Sequence, residues 1–516
     1  MNLLLATLTI PLAAFFLLLV LPLSEKAAAM LARLMAVVTL VFSLSLIPGV
    51  NAAPAAFSST IDIPWVATIG IHFHIAADGI SLWLLVLTAL LVLVGVWIAE
   101  GLVKDRAKTF LALIFLFEFG LIGVFSALDL FLFYVFWEVA LVPMYLIVGI
   151  WGGPRRTYAA VKFFVFTMSG SLAMLTAIIY IYTRAQTFDY AQILAALNSG
   201  RLVFSQPEQL FLFLGFFFAF AVKIPLFPLH TWQPLTYFQA PTAATFLIAA
   251  AMSKMGTYGL VRFALPLFSG GAHRCASWII VLALISIVYG ALIAIVQPNL
   301  KQLVAYSSIS HLGFVVLGLF TFEQIGVDGA VYQMVAHGVS TGALFVLIAY
   351  LEKRSGSTEI ASFGGLATPA PGLATAFMLA ALASVGLPLL CNFVGEFLIL
   401  QGTAVAHFSY AVWAASGVVF ASIYLLWMYQ RTFFGPSSEF NSGLPDLSIA
   451  EWVPLGLLLI PMVWLGTYAQ TFLPAISAAN TSWLDQTRAN ADVRVNNRLP
   501  RSLPVSTAAV SLRKVN

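Results

Sequence analysis

The amino-acid sequence predicts an all-α polytopic membrane protein of about 14 transmembrane helices, with two inverted five-helix repeats and broken helices 7 and 12. Three observations lead there. Composition is the first: 61% of residues are hydrophobic and 9% charged, with a mean hydropathy of +0.99, where a soluble domain carries ~25% charged residues. Second, apolar runs recur along the whole chain at roughly the 20-residue length that crosses a bilayer core. Third, prolines interrupt two of those runs. Pro225 and Pro228 follow Lys223, and Pro388 follows Gly386. A proline removes a backbone donor and clashes with the preceding turn, so both helices break at membrane depth.

In order, the apolar runs fall at about 2–22, 28–48, 77–100, 108–127, 129–151, 157–183, 209–232, 240–266, 275–297, 302–321, 327–351, 371–402, 405–434 and 450–473. The first has no basic n-region and no small-residue cleavage site, so it reads as a transmembrane helix and not a removed signal. Lys26, Lys104, Arg106, Lys108, Arg155, Arg156, Lys301, Lys353, Arg354 and Arg431 fall on one side of the alternating helices. Arg184, Arg201 and Arg274 fall in the short loops of the other. An excess of Lys and Arg marks the cytoplasmic side, which puts both termini outside. The 49–76 loop has neither residue, as an outer loop should, whereas the tail from about Pro474 is basic and runs against the pattern.

Broken helices in corresponding places of two halves indicate an inverted repeat with its site at the breaks. An internal echo agrees: AAVKFFVFTMSGSLAM from Ala159 aligns with GAVYQMVAHGVSTGAL from Gly329. The expected organisation is 1–107 for the first three helices, 108–266 and 275–434 for the two inverted five-helix repeats (helices 4–8 and 9–13), 435–473 for the last loop and helix, and 474–516 for a polar tail.

Inside the apolar runs lie Glu118, Glu138, Lys162, Lys223, Lys254, His311, His337 and Glu396. Each ionisable group at membrane depth costs about 2.5–3.5 kcal/mol on insertion scales. One buried Glu–Lys pair is accounted for as a packing ion pair. Eight such groups on eight helices, two of them beside breaks, are what proton conduction needs: groups whose proton affinity responds to burial and to neighbouring charge. Glu138, inside a run that also holds Pro143 and closes on Arg155–Arg156, is expected to contact Lys223. His230, seven residues after Lys223, is left open between the same path and plain packing. His72, His74, His273 and His407 read as loop or interface histidines, the first two solvated.

Other classes are excluded. The basic residues occupy loops and form no stripe, so nucleic acid is not a partner. Cys275 and Cys391 lie far apart, which rules out an iron–sulfur or CxxC site in the chain. No glycine-rich phosphate loop or Ser/His/Asp arrangement stands out.

Several stretches carry a resemblance. FWEVALVPMYLIVGIWGG from Phe136, VKIPLFPLHTW from Val222, SKMGTYGLVRF from Ser253, KQLVAYSSISHLGF from Lys301, HGVSTGALF from His337 and FVGEFLIL from Phe393 occur in family order. Over about 130–400 the chain resembles the antiporter-like membrane subunits of respiratory complex I, the bacterial M type above all. The resemblance implies that Glu138 and Lys223 are the paired charges of one half-channel and that Lys254 is the central relay. It also implies that His337 and His311 lie on the polar axis, and that Glu396 ends it. The glutamate at 396 is the M-type feature, since L-type, N-type and Mrp relatives tend to have lysine there. Neither Glu118 nor Lys162 is carried over.

Also implied are partner subunits holding NADH, FMN, iron–sulfur clusters and quinone, with no cofactor in this chain, and neighbouring L-type and N-type subunits in a bacterial inner membrane. Three places depart from the family: QPLTY (Gln233 to Tyr237) stands where LPDAH is usual, Asn299 where an Asp is usual, and GLPLLCNF at the break of helix twelve. The competing readings are a subunit of a Mrp-type cation/proton antiporter, of a membrane-bound hydrogenase-type complex, or an assembly scaffold with inert charge pairs.

Overall fold

The structure is a computed structural model and describes residues 2–436, 441 and 443–496. Its first six long helices are α1 (Leu3–Val20), α2 (Glu25–Leu44), α3 (Leu82–Leu102), α4 (Ala107–Ser126), α5 (Leu130–Trp151) and α6 (Arg156–Ala185). Next come α7 (Gln206–Lys223), α8 (Thr242–Leu267), α9 (Ser269–Ile295), α10 (Leu300–Leu319) and α11 (Gln324–Ser355). The series ends with α12 (Pro371–Val385), α13 (Cys391–Ala406), α14 (Phe408–Phe433), α15 (Ile449–Thr467) and α16 (Leu473–Asn496). Twelve of these are long and apolar enough to cross a membrane, all but α7, α12, α13 and α16.

The remaining crossings are the two broken ones. After Lys223 the chain turns through residues 224–232 before the short helix Gln233–Gln239, and α12 and α13 are separated by residues 386–390. Gly386 caps α12 in the left-handed region at φ 84°, which glycine adopts without a Cβ penalty. With these, the fourteen predicted segments are accounted for.

Helix starts follow from side chains that satisfy orphan N–H groups. Asn2, Ser24, Asp129 and Asn299 each accept from the first turn of their helix. Ser205 with Glu208, and Ser448 with Glu451, close full capping boxes.

The inverted repeat is visible in the backbone. Asp129 bridges Asp189, and Asn299 bridges Glu359, each antiparallel. In the first bridge Leu130 N–H donates to the Phe188 carbonyl and Tyr190 N–H to that of Leu128. In the second, Leu300 donates to Thr358 and Ile360 to Pro298, an offset of 170 residues throughout. The same offset joins Ala159 to Gly329 in the sequence echo. Three crossings, α7, α8 and α9, lie between Asp189 and Asn299, an odd number, so the bridges sit at opposite ends of the bundle and the second half is inverted.

α8 and α11 are buried along their whole apolar windows and α10 nearly so. A helix apolar on every side belongs inside a bundle. The outermost helices α1 and α2 leave Phe16, Val20, Met30 and Leu34 exposed, as a lipid-facing surface requires.

Two regions depart from the sequence reading. The 49–76 loop contains an antiparallel hairpin, β1 (Ser58–Val66) and β2 (Ile71–Ala77), turned at Gly70 with φ 67°. Part of the expected polar tail is helical: α16 buries Ile476, Asn480, Trp483 and Leu484.

The hairpin also overturns the reading of His74 as a solvated residue. His74 is buried, and its Nδ1 bonds the Asp189 carboxylate. Burial opposes the charged ring, but the Asp189 hydrogen bond and the charges of Asp189, Asp62 and Asp129 outweigh it, so its pKa lies above the ordinary 6.5. A group that binds its proton more tightly when folded contributes stability that is fully present below about pH 6.5 and is lost as pH rises through the folded value. Amides of Ile71–Ala77 are therefore expected to exchange more slowly at about pH 6 than at about pH 8.5, after correction for intrinsic rates. An unchanged protection factor across that interval, or one that survives His74→Gln, would count against the latch.

Candidate functional site

Glu138 lies in α5, eight residues and about two turns from its start at Leu130. One turn earlier Tyr134 sets its hydroxyl between Glu138 and Ser171. Oε1 of Glu138 is buried with no protein partner. Lys223 is the last residue of α7, held by the break that follows it. Its ammonium is buried, also without a hydrogen-bond partner, 5.2 Å from the Trp137 ring centre and 6.0 Å from that of Phe163. A desolvated cation over an indole face gains roughly 2 kcal/mol. Glu138 is the charge whose field bears on Lys223. The contact expected between them is thus electrostatic, across a gap, and not a direct hydrogen-bonded pair. Glu118, in the adjacent α4, is buried with both oxygens unpartnered.

The second group is two hydrogen-bonded pairs whose histidine rings stand side by side. α8 is not a uniform helix: π turns at Ile248–Met252 and Leu260–Ala264 flank a short α segment, and such turns re-aim side chains at functional positions. Lys254 opens that segment. Its Nζ donates to the Ala249 carbonyl at 2.9 Å and to Ser253 Oγ at 3.2 Å, and lies 2.8 Å from His337 Nδ1. With the ammonium donating, His337 accepts at Nδ1 and keeps its ring proton on Nε2, an atom with no protein partner.

The His337 and His311 ring centres are 5.7 Å apart. His311 lies within α10, past its midpoint. Its Nδ1 is 2.6 Å from Glu396 Oε1, which also accepts from Gln333 Nε2 at 2.9 Å. Tyr424 completes this end, its hydroxyl 2.7 Å from Ser307 Oγ and 3.5 Å from His311 Nε2. All the members are buried.

Close packing of α11 on α13 sets this geometry. At Gly395 a Cβ would meet the Gln333 Cα at 2.9 Å. Gly395→Ala is expected to destabilise the chain by about 1–3 kcal/mol through overpacking and to displace Gln333 from Glu396. A thermal midpoint equal to that of the parent would contradict this.

The sequence missed part of the buried polar set. Arg262 Nη2 donates to Asp78 Oδ1 at 2.5 Å, and both are buried. Both positions fall inside predicted crossings, so charge at that depth was the available signal. Gln333 and Tyr424 carried none, being neutral. Lys301, read as a loop residue, is buried and donates to the Ala240 carbonyl at 2.7 Å. Lys162 is half-buried and donates to the Thr231 carbonyl at 2.8 Å. His230 is buried beside Phe227 and Tyr289, with Nδ1 unpartnered.

Asn299 explains one departure. Its amide donates to Thr358 Oγ1 at 2.7 Å and Glu359 Oε1 at 2.9 Å while its oxygen caps Lys301 N–H. An aspartate there would oppose Glu359. Among the described residues no group of three or more His, Cys, Asp or Glu side chains is placed to hold a metal ion.

A sequence profile described as NADH:quinone oxidoreductase/Mrp antiporter, transmembrane, matches residues 127–423. NADH-quinone oxidoreductase subunit M of Rhodobacter capsulatus is 40% identical over 458 residues, covering 87% of this chain and 88% of the relative. A chain in the structure of respiratory complex I from Thermus thermophilus with bound NADH superposes with a TM-score of 0.86 at 33% identity, covering 94% of this chain and 100% of that one. A chain of the Mrp complex from Dietzia sp. DQ12-45-1b superposes at 0.83 with 22% identity over 95% and 98%, a likeness of fold. The chain belongs to the NADH:quinone oxidoreductase/Mrp antiporter family of transmembrane subunits.

Proposed function

We propose that this chain is the proton-translocating subunit M of a bacterial NADH–quinone oxidoreductase, a multi-pass protein of the inner membrane. It works as one part of a translocase and carries no redox chemistry itself. NADH, FMN, iron–sulfur clusters and quinone belong to partner subunits. Relatives of that name, aligned over most of both chains, support the reading. The observation that carries the mechanism is the buried run Lys254–His337–His311–Glu396, with the Glu138–Lys223 pair as a separate group.

In this reading Glu138 and Lys223 form the entry pair, Lys254 is the central relay, and His337, His311 and Glu396 pass the proton along the second half. The proposed division into repeats at 108–266 and 275–434 places Glu138, Lys223 and Lys254 in the first and His311, His337 and Glu396 in the second, the two meeting where Lys254 of α8 contacts His337 of α11. Moving one proton against 100 mV costs ~2.3 kcal/mol, so the drive comes from electron transfer elsewhere in the complex.

The break of helix twelve bears on the neighbours. Leu387 and Leu389 are 43% and 68% exposed, in non-helical backbone. That backbone is held inside the chain, with Leu387 N–H donating to the Leu382 carbonyl and Leu389 packed against Gly466 of α15, so what this face offers outward is two large apolar side chains. An adjoining membrane-arm subunit, of L or N type, covers this face.

Lys254→Met tests the proposal. In inverted vesicles NADH-driven acidification is expected to fall roughly tenfold or more while the complex still assembles. Undiminished acidification would refute the relay. Proton flux that required a sodium gradient and ignored NADH would transfer the chain to the Mrp reading.

A further inference from the structure

The break of helix twelve holds polar groups that the relay does not use. Asn392, second residue of α13, is fully buried. Its Oδ1 accepts from Ser340 Oγ at 3.0 Å and from Cys391 Sγ at 3.4 Å, whereas Nδ2, with two N–H donors, has no protein acceptor. On the other side of the break Ser384 Oγ is buried and unpartnered.

The cluster is contiguous with the relay at both ends. Ser340 Oγ, whose one proton goes to Asn392, lies 3.4 Å from the His337 carbonyl, and His337 Nε2 is itself unpartnered. Asn392 lies one helical turn before Glu396, whose Oε2 faces the break: a Cβ on Gly386 would stand 3.2 Å from it. Buried amide donors are nearly always satisfied, and where protein supplies no acceptor an ordered water does. A region with four polar side chains, two of them short of partners, suits such a water, which needs two to four partners.

We infer that Asn392 is a positioning residue: with Ser340 and Cys391 it holds internal water at the helix-twelve break and so gives His337 a hydrated connection to Glu396 beside the one through His311. Asn392 is not a proton carrier, since an amide does not titrate. Its part is to orient water. The inference rests on the relay proposed above.

Two measurements on the assembled complex test it. Cys391 is a built-in probe, because a thiol proton exchanges with D2O only where water reaches it. The Cys391 S–H band is isolated as the infrared difference between the parent and Cys391→Ala. It is expected to shift within minutes of transfer to D2O, and at least tenfold more slowly in Asn392→Leu, whose side chain fills the space with apolar atoms. A parent band that persists for hours, or equal rates in parent and Asn392→Leu, overturns the inference.

The second measurement is protons pumped per NADH oxidised. Asn392→Ala, which leaves room for water, is expected to retain more than half of the parent ratio, and Asn392→Leu to lose at least threefold. Equal ratios in the two variants, high or low, overturn the positioning role. Failure of the relay itself is separate: it appears as normal pumping in Lys254→Met and leaves the thiol exchange unchanged.

Discussion

Glu138→Gln is expected to reduce NADH-driven proton pumping roughly tenfold or more in inverted vesicles, with assembly intact. The glutamine keeps the size and one carbonyl of the side chain, so the packing of α5 is preserved and only the titrating proton is removed. Lys223→Met should do the same from the other side of the gap. Lys223→Arg is the sharper variant. A guanidinium keeps the positive charge beside Trp137 but does not release a proton in a protein. If Lys223 served only to balance Glu138, the arginine would restore pumping; as a carrier it leaves pumping low. Normal acidification in Glu138→Gln would remove this pair from the mechanism.

Arg262→Ala is expected to have the largest effect on stability. The guanidinium and Asp78 are both buried and joined directly, and Arg262 also lies over the rings of Tyr258 and Phe57. Removing one member leaves the other desolvated and uncompensated, a loss of about 3–5 kcal/mol. Replacing both by apolar groups, as in Arg262→Met with Asp78→Leu, should recover most of it, because the pair itself adds little net stability. The yield of assembled complex and its thermal midpoint report the difference. A single variant as stable as the parent would mean that water reaches Asp78.

The helices and their breaks were legible because their causes are local. Run length, prolines at 225, 228 and 388, and capping residues act within a few positions. The ionisable members of the site were legible for a related reason: Glu138, Lys223, Lys254, His337 and Glu396 are conspicuous against apolar neighbours. Less visible was who touches whom. Nothing near Gln333 in sequence indicates that it donates to a carboxylate 63 residues on. His74 looked solvated because its partner Asp189 comes from the loop after α6, 115 residues on. The π turns of α8 were illegible too, since one extra residue in a turn leaves no compositional mark.

The two matching bridges carry a consequence for direction. Between Asp129–Asp189 and Asn299–Glu359 the halves share one backbone plan without net insertion, so positions 170 apart are structural counterparts. The counterpart of Glu138 is Ser308, and that of His337 is Thr167. Glu138 and His337 therefore each have a neutral counterpart in the other half. A duct identical in both senses would have no preferred flow. Here the scaffold is duplicated but its chemistry is not, and in the proposed relay that inequality would give a symmetrical frame its vector.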